Sequence, residues 1–173
     1  MTTSFKRFVR TSILSVAMVW ASSTLAESPV AITLTGVEQS AVFKAAGFTL
    51  KGKEWRACDT GDSGAPYDPG TIQEVRDLND DGRPEAIVIE GGTYCYGHTG
   101  VGFALVSKQA DGHWRLMNQQ TGVPEILKAR GASGWPDISV GGPGFCFPVE
   151  RWNGKKYALH RFEYQGKRCK PSR

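Results

Sequence analysis

The sequence predicts a mainly β fold, in which small antiparallel sheets are arranged like two or three propeller blades with one short N-terminal helix. Its 21 glycines and 9 prolines are spread along 173 residues and divide the apolar residues into short runs. Asp111-Gly112 and Asn153-Gly154 are strong signals for two-residue hairpin turns. Only one segment has a helical period.

The first 26 residues have the features of a secretion signal. Three basic residues, an apolar stretch over residues 12–21 and a small residue at Ala26 occur in that order. A membrane anchor is the alternative, but the stretch is well short of the roughly 20 apolar residues that a span needs. We therefore expect one β-rich domain over residues 27–173, periplasmic or secreted, with no membrane span after cleavage.

The charge of the mature chain is nearly balanced. The chain has 21 Lys and Arg against 17 Asp and Glu, and three of the basic residues lie in the signal. Removal of the signal leaves 18 basic and 17 acidic residues. The overall charge therefore gives no reason to expect nucleic acid or a membrane surface as a partner.

The helix is predicted at about residues 36–46, between a capping box at Thr35 and Glu38 and a glycine stop at Gly47. Residues 60–70 are rich in Gly, Pro, Asp and Ser and predict a surface loop. Residues 125–130 are interpreted as one helical turn. The predicted strands cover residues 30–34, 48–50, 55–57, 72–78, 86–90, 103–108, 113–117, 138–140, 145–152 and 156–164.

A weak internal repeat supports the comparison with propeller blades. Gly102-Phe103 leads to a turn glycine at Gly112, and Gly144-Phe145 leads to Gly154, with nine residues from Phe to turn Gly in both copies. Chance recurrence of hairpin turns is the alternative. The shared order of several features favours a true repeat.

Four cysteines in an exported chain predict two disulfides, because an even number in an oxidising compartment favours pairing. A zinc site is the alternative, but no two cysteines are closely spaced. Of the three possible pairings we favour Cys95–Cys146 and Cys58–Cys169. The first would join neighbouring repeat units, and the second would join the first unit to the last strand.

The segment Asp77 to Glu85 has the pattern of a calcium loop. Calcium takes six to eight hard oxygen ligands. Alternate side chains of the loop can turn inward, and Gly82 permits a sharp turn. The predicted ligands are Asp77, Asn79, Asp81, the backbone carbonyl of Arg83, and Glu85. A metal-free acidic turn is the alternative.

The loop is not an EF-hand, since position twelve is Val88 rather than Glu and a strand follows instead of a helix. Its pattern D-x-N-x-D-G-x-x-E resembles the integrin-type FG-GAP repeat and the bacterial VCBS-type repeat. The resemblance covers residues 75–92 well and the segment to Met117 loosely. It implies a propeller-like fold and calcium, but no activity.

A second loop, Gly91 to Gly100, is rich in Tyr, Thr and His and is held by Cys95. Tyr94, Tyr96 and His98 are candidate ligand-binding residues, since such groups at loop tips serve recognition. The alternative is that the tyrosines only cover the disulfide. If the units lie side by side, the glycine-rich segment 141–145 would neighbour this loop.

No catalytic constellation is evident, so the sequence favours a binding module for a protein or envelope ligand, for example of the inhibitor or immunity type. The Gly61-Asp62-Ser63-Gly64 segment only loosely resembles a serine protease motif. A hydrolase acting on envelope material, with His98 beside Asp62 or Asp137, is the first alternative. A structural assembly component is the second. The hydrolase requires His98 to lie near a carboxylate in a concave site.

Overall fold

A computed structural model describes residues 32–61 and 63–171 and confirms the mainly β class. The predicted signal and Asp62 lie outside these residues. Eleven strands form three antiparallel sheets of two, four and five strands. The helices and strands are α1 (Gly36–Ala45), β1 (Thr49–Lys51), β2 (Glu54–Arg56), β3 (Asp68–Arg76), β4 (Glu85–Gly91), α2 (Thr93–Tyr96), β5 (Val101–Lys108), β6 (Trp114–Thr121), β7 (Val123–Arg130), β8 (Pro136–Gly141), β9 (Phe147–Trp152), β10 (Tyr157–Tyr164) and β11 (Lys167–Arg168).

The capping box begins α1 as predicted. The Thr35 hydroxyl accepts the Glu38 N–H, and the Glu38 carboxylate accepts the Thr35 N–H. Gly47 then has a φ of 86°, a left-handed conformation that glycine adopts without steric strain. The strand predicted at residues 30–34 is wrong over residues 32–34, which have no regular structure, and its first two residues lie outside the described chain.

The helical turn predicted at residues 125–130 is also wrong. These residues belong to β7, which pairs with β8 at one edge of the five-stranded sheet. Pro124 is tolerated there because an edge strand need not donate every backbone hydrogen bond.

Two of the sheets are meanders that pack on each other. The four-stranded sheet has the order β3-β4-β5-β6, and the five-stranded sheet has the order β11-β10-β9-β8-β7. Side chains from both sheets share one apolar core, and strand alternation places the opposite face of the four-stranded sheet against α1. In β4, Ile87 belongs to the first core, whereas Ala86 and Val88 belong to the second.

Connections of the two meanders approach each other at two places, which mark the two ends of the sandwich. At one end, a Cβ on Gly134, between β7 and β8, would lie only 2.7 Å from the Asn79 carbonyl, between β3 and β4. At the other end, a Cβ on Gly142 would lie 3.5 Å from the Thr99 hydroxyl. We name these the acidic-loop end and the disulfide end.

The predicted disulfide pairing is wrong. The bridges are Cys58–Cys95 and Cys146–Cys169. Each bridge therefore stays beside its own sheet: the first ties the segment after β2 to the β4–β5 loop, and the second ties the start of β9 to the segment after β11. Within the described residues, no helix is long and apolar enough to cross a membrane.

Candidate functional site

The acidic loop, residues 77–85, wraps around the carboxylate of Asp77. This carboxylate accepts the backbone N–H of Asp81 at 3.2 Å and that of Gly82 at 2.7 Å. Asp80 and Gly82 have φ angles of 60° and 82°, which give the loop its sharp turn. The local sequence thus supplies both the acceptor and the residues that the turn needs.

The carboxylate of Asp81 accepts several hydrogen bonds within the same turn. It accepts the Arg83 N–H at 2.9 Å, the Arg83 guanidinium at 2.6 Å and the Asn79 side-chain amide at 3.0 Å. The Arg83 side chain also donates to the Lys108 carbonyl. The Arg83 guanidinium therefore offsets part of the negative charge of the loop, whereas the Arg83 backbone carbonyl is the predicted calcium ligand.

Glu85 is directed into the protein and not into the turn. It is 1% exposed, and its carboxylate accepts the Leu78 N–H at 2.7 Å and the Ser107 hydroxyl at 2.8 Å. The pKa of Glu85 is raised to about 7: burial raises it most, the hydrogen bonds from Leu78 and Ser107 lower it, and the charges of Asp81 and Asp77 raise it.

The oxygens gathered at the turn are of the kind that calcium binds. Asp77, Asn79 and Asp81 lie together at the turn and are of this chemistry, whereas Glu85 is held apart by its bonds to Leu78 and Ser107. Within residues 32–61 and 63–171, no group of three or more His, Cys, Asp or Glu side chains is placed to hold a metal. Calcium stays a prediction.

The acidic loop also contacts the second sheet. Arg130, at the end of β7, donates from Nη1 to the Leu78 carbonyl and to the Gly134 carbonyl. Its guanidinium lies 3.9 Å from the Asp80 carboxylate. Leu78 itself is buried in the core between the sheets. The loop is therefore part of the junction between the two meanders, and any ligand that orders it would also order this junction.

The disulfide end is built on a buried carboxylate, Glu90, at the end of β4. Glu90 is 2% exposed and accepts the backbone N–H groups of Ala57 and Cys58 and the hydroxyls of Tyr67 and Tyr96. We name these five residues the Glu90 cluster. Burial, followed by the hydrogen bond to Glu90, raises the pKa of both tyrosines.

The cluster fixes the β4–β5 loop from inside while Cys58–Cys95 fixes it covalently. Tyr96 lies over Gly102, where no side chain would fit. The structure thus separates the three predicted ligand-binding residues: Tyr96 is internal, whereas Tyr94 is 62% exposed and His98 is exposed. Of the three, Tyr94 and His98 are the residues that a partner can reach.

The glycine-rich segment before β9 neighbours this loop, as predicted, through the close approach of Gly142 to Thr99. Its Phe145 is 74% exposed. The Phe145 ring packs edge-on against Tyr164 of β10, with ring centroids 5.4 Å apart, and Cys146 joins the segment to Cys169. A large aromatic group is therefore presented from a covalently held position.

The arrangement that a hydrolase centred on His98 needs is not seen in the described part of the chain. His98 forms no ion pair with Asp or Glu there and is exposed in a short turn. Asp137 is fully buried in β8, where its carboxylate accepts from Arg151 at 2.8 and 2.9 Å and from Arg161 at 2.5 Å. Asp137 is thus a structural anion, and Asp62 lies outside the described residues.

No family model, no curated protein and no solved structure matches this chain at a significant level. The FG-GAP or VCBS resemblance therefore stays a prediction from the acidic loop alone.

Sequence reasoning missed the Glu90 cluster, because its five members are brought together from three separate segments. A partial signal existed, since Glu90 is one of two acids in a strand that is otherwise apolar and is buried on both faces. A buried carboxylate needs hydrogen-bond partners, and nearby tyrosines are suitable donors.

Proposed function

We propose that the protein is an exported, calcium-stabilised binding module that recognises a protein or envelope ligand with its disulfide end. One observation carries the proposal: Tyr94 and Phe145, both large and mostly exposed, are displayed from neighbouring loops that are each anchored by a disulfide. Exposed aromatics are costly to keep in water and are enriched at the centres of interfaces.

The rigidity of this end supports recognition. Binding is weakened by the entropy lost when loops become ordered, so loops that are ordered beforehand bind more tightly. Here the Cys58–Cys95 bridge, the Glu90 cluster and the Cys146–Cys169 bridge act together to order both loops. Their combined presence at one end favours a preorganised binding surface over two loops that are neighbours without a shared function.

Calcium has a separate role in this proposal. The acidic loop lies at the opposite end of the sandwich, where Arg130 joins it to the second sheet. A metal held by Asp77, Asn79 and Asp81 would neutralise their charges and fix the turn, and would stabilise the fold because it binds the folded state alone. Two disulfides are compatible with a protein outside the cytoplasm.

The test is capture of partners from periplasmic extract by the oxidised protein. We expect Tyr94→Ser/Phe145→Ser to lose the captured partner, because it removes both exposed aromatics while leaving the disulfides and the Glu90 cluster in place. Val37→Ser is the control, since Val37 is 82% exposed and lies in the first turn of α1, next to Glu38, which pairs with Lys108 at the end of β5. Equal capture by wild type and loop variant would refute the proposal.

Self-association is measured in parallel by light scattering, with and without calcium. A monomer that captures a distinct partner fits the binding module. Growth into large assemblies through the same two aromatics would instead favour the structural assembly component.

A further inference from the structure

The charge of the folded domain is divided unequally along the chain. Residues 151–170 contain seven Lys and Arg and a single acid, whereas residues 32–150 contain ten basic and fifteen acidic residues. Although the net charge of the domain is close to zero, a basic region is therefore formed by β9, β10, β11 and the segment after β11. Such a region attracts anionic partners through its local potential, whatever the net charge.

Part of this region is a groove of about 470 Å³ between β10 and the segment that follows β11, lined by His160, Arg161, Phe162, Arg168, Cys169 and Lys170. Arg161 is engaged by Asp137 and Glu163. In the described chain, Arg168, Lys170 and His160 form no ion pair and are exposed. Arg168 lies opposite Glu163 across the β10–β11 pair and acts on its charge, but all three groups are exposed to an incoming anion.

The groove is held in shape by covalent and backbone contacts. The Cys146–Cys169 bridge anchors its C-terminal wall, and the Cys169 N–H donates to the Phe162 carbonyl at 3.1 Å. Only Glu163 and Tyr164 of β10 pair with β11, so residues 157–162 have no strand on that side. The cationic groups are thus displayed along an open sheet edge and not on a loose chain end.

The groove also adjoins the exposed aromatic group of the disulfide end. Phe162 lies in its lining, and Tyr164, two residues further along β10, packs against Phe145. A ligand that fills this surface needs carboxylates for Arg168 and Lys170 and apolar side chains for the aromatic groups.

We propose that this groove binds an acidic segment of the protein partner, in which apolar residues follow the carboxylates and reach Phe145. This inference rests on the proposed function and names the chemistry of its partner. Free anions share only the charge, and an anionic membrane presents a broad surface that does not enter a groove between two segments, so the concave lining together with the aromatic neighbours favours a peptide over both.

The probe is a fluorescein-labelled twelve-residue peptide of Glu and Ser with one Leu and one Phe, titrated into the oxidised protein and followed by anisotropy. We expect micromolar affinity that decreases with added salt. The affinity should fall at least about tenfold in Arg168→Gln/Lys170→Gln, because charged interface contacts govern such complexes. Lys155→Gln/Lys156→Gln is the control, because it removes the same charge from the β9–β10 turn at the opposite end. It should change the affinity less than about twofold.

Equal weakening in both variants would overturn the inference, since net charge would then explain binding. It would also be overturned by equal binding of a peptide with Gln in place of Glu, by no binding of the acidic peptide, or by displacement of the peptide with millimolar phosphate. Binding to anionic phosphatidylglycerol vesicles but not to the peptide would contradict it as well. Circular dichroism and thiol titration confirm that each variant is folded and oxidised.

Failure of the inference and failure of the proposed function are distinguishable. If Tyr94→Ser/Phe145→Ser loses partner capture while Arg168→Gln/Lys170→Gln keeps it, the binding module stands and the acidic groove ligand is wrong. If the arginine–lysine variant loses the peptide while the aromatic variant keeps its captured partner, the groove stands and the proposed recognition surface is wrong.

Discussion

Replacement of Glu90 by glutamine tests whether a buried carboxylate holds the disulfide end together. Oε1 of Glu90 accepts the Ala57 N–H at 2.8 Å and the Tyr67 hydroxyl, while Oε2 accepts the Cys58 N–H at 3.2 Å and the Tyr96 hydroxyl. Glutamine keeps the shape of the side chain and one acceptor oxygen. Its NH₂ group replaces the other acceptor, so two donors lose their bond or must turn.

The magnitude follows from these contacts. Each buried donor left without an acceptor costs about 1–3 kcal/mol, and the bonds that remain lose the strengthening that a charged acceptor gives. Tyr96 can rotate its hydroxyl and accept from the new NH₂ group, whereas the Cys58 N–H keeps only its 3.3 Å contact to Oε1, and all the remaining bonds are weaker because the acceptor is uncharged. We expect Glu90→Gln to lower the free energy of unfolding by about 2 kcal/mol.

The assay is equilibrium unfolding in urea of the oxidised protein, followed by tryptophan fluorescence. Glu125→Gln is the control, because Glu125 is an exposed glutamate on β7 and should lose less than about 0.5 kcal/mol. If Glu90→Gln were as stable as Glu125→Gln, the Glu90 cluster would not hold this end, and the argument for a prepared recognition surface would lose one of its three supports.

Three further predictions concern the opposite end and the second sheet. Burial raises the pKa of Asp137, but Arg151 and Arg161 lower it more, so its net value in the folded protein is below the ordinary 3.8. The stabilising effect of Asp137 is therefore present above pH 3.8 and is lost as the pH falls through the folded value. When the free energy of unfolding is measured at decreasing pH, it should fall less steeply in Asp137→Asn than in wild type. Arg130→Gln should lower the free energy of unfolding in urea by about 1–2 kcal/mol, because the Leu78 carbonyl loses a charged donor, whereas Lys128→Gln on the same strand should be neutral. Calcium at about one hundred times its Kd should add about 2.7 kcal/mol and raise Tm by several degrees in differential scanning fluorimetry, with no shift in EGTA or in Asp77→Asn.

Local signals predicted the elements whose conformation is decided locally. The capping box at Thr35 and Glu38 begins α1, and both predicted two-residue turns end hairpins, with φ angles of 84° at Gly112 and 96° at Gly154. Side-chain and backbone bonds within a few residues determine these features, so tertiary packing does not override them.

Features that depend on the whole fold were not predictable in the same way. β7 was mistaken for a helical turn, since Pro124 and the lack of strict alternation hide an edge strand. The repeat suggested that Cys95 would reach Cys146, but each cysteine instead meets a partner beside its own sheet, and spacing alone does not fix connectivity.

The candidate site was predicted in part. The neighbouring positions of the loops at Thr99 and Gly142 followed from placing the two repeat units side by side. The different orientations of Tyr94 and Tyr96 did not, because only the position of Glu90 decides which tyrosine turns inward. The basic groove was not predicted, since neither the bridge to Cys146 nor the open edge of β10 can be inferred from composition.

The most direct test of the recognition surface is photocross-linking in the export compartment, with a benzophenone amino acid in place of Tyr94. The proposal predicts one distinct cross-linked partner from position 94 and none from position 37, where Val37 is exposed on α1. Cross-linking that is equally weak and unspecific from both positions would contradict the assignment of the disulfide end as the surface that binds.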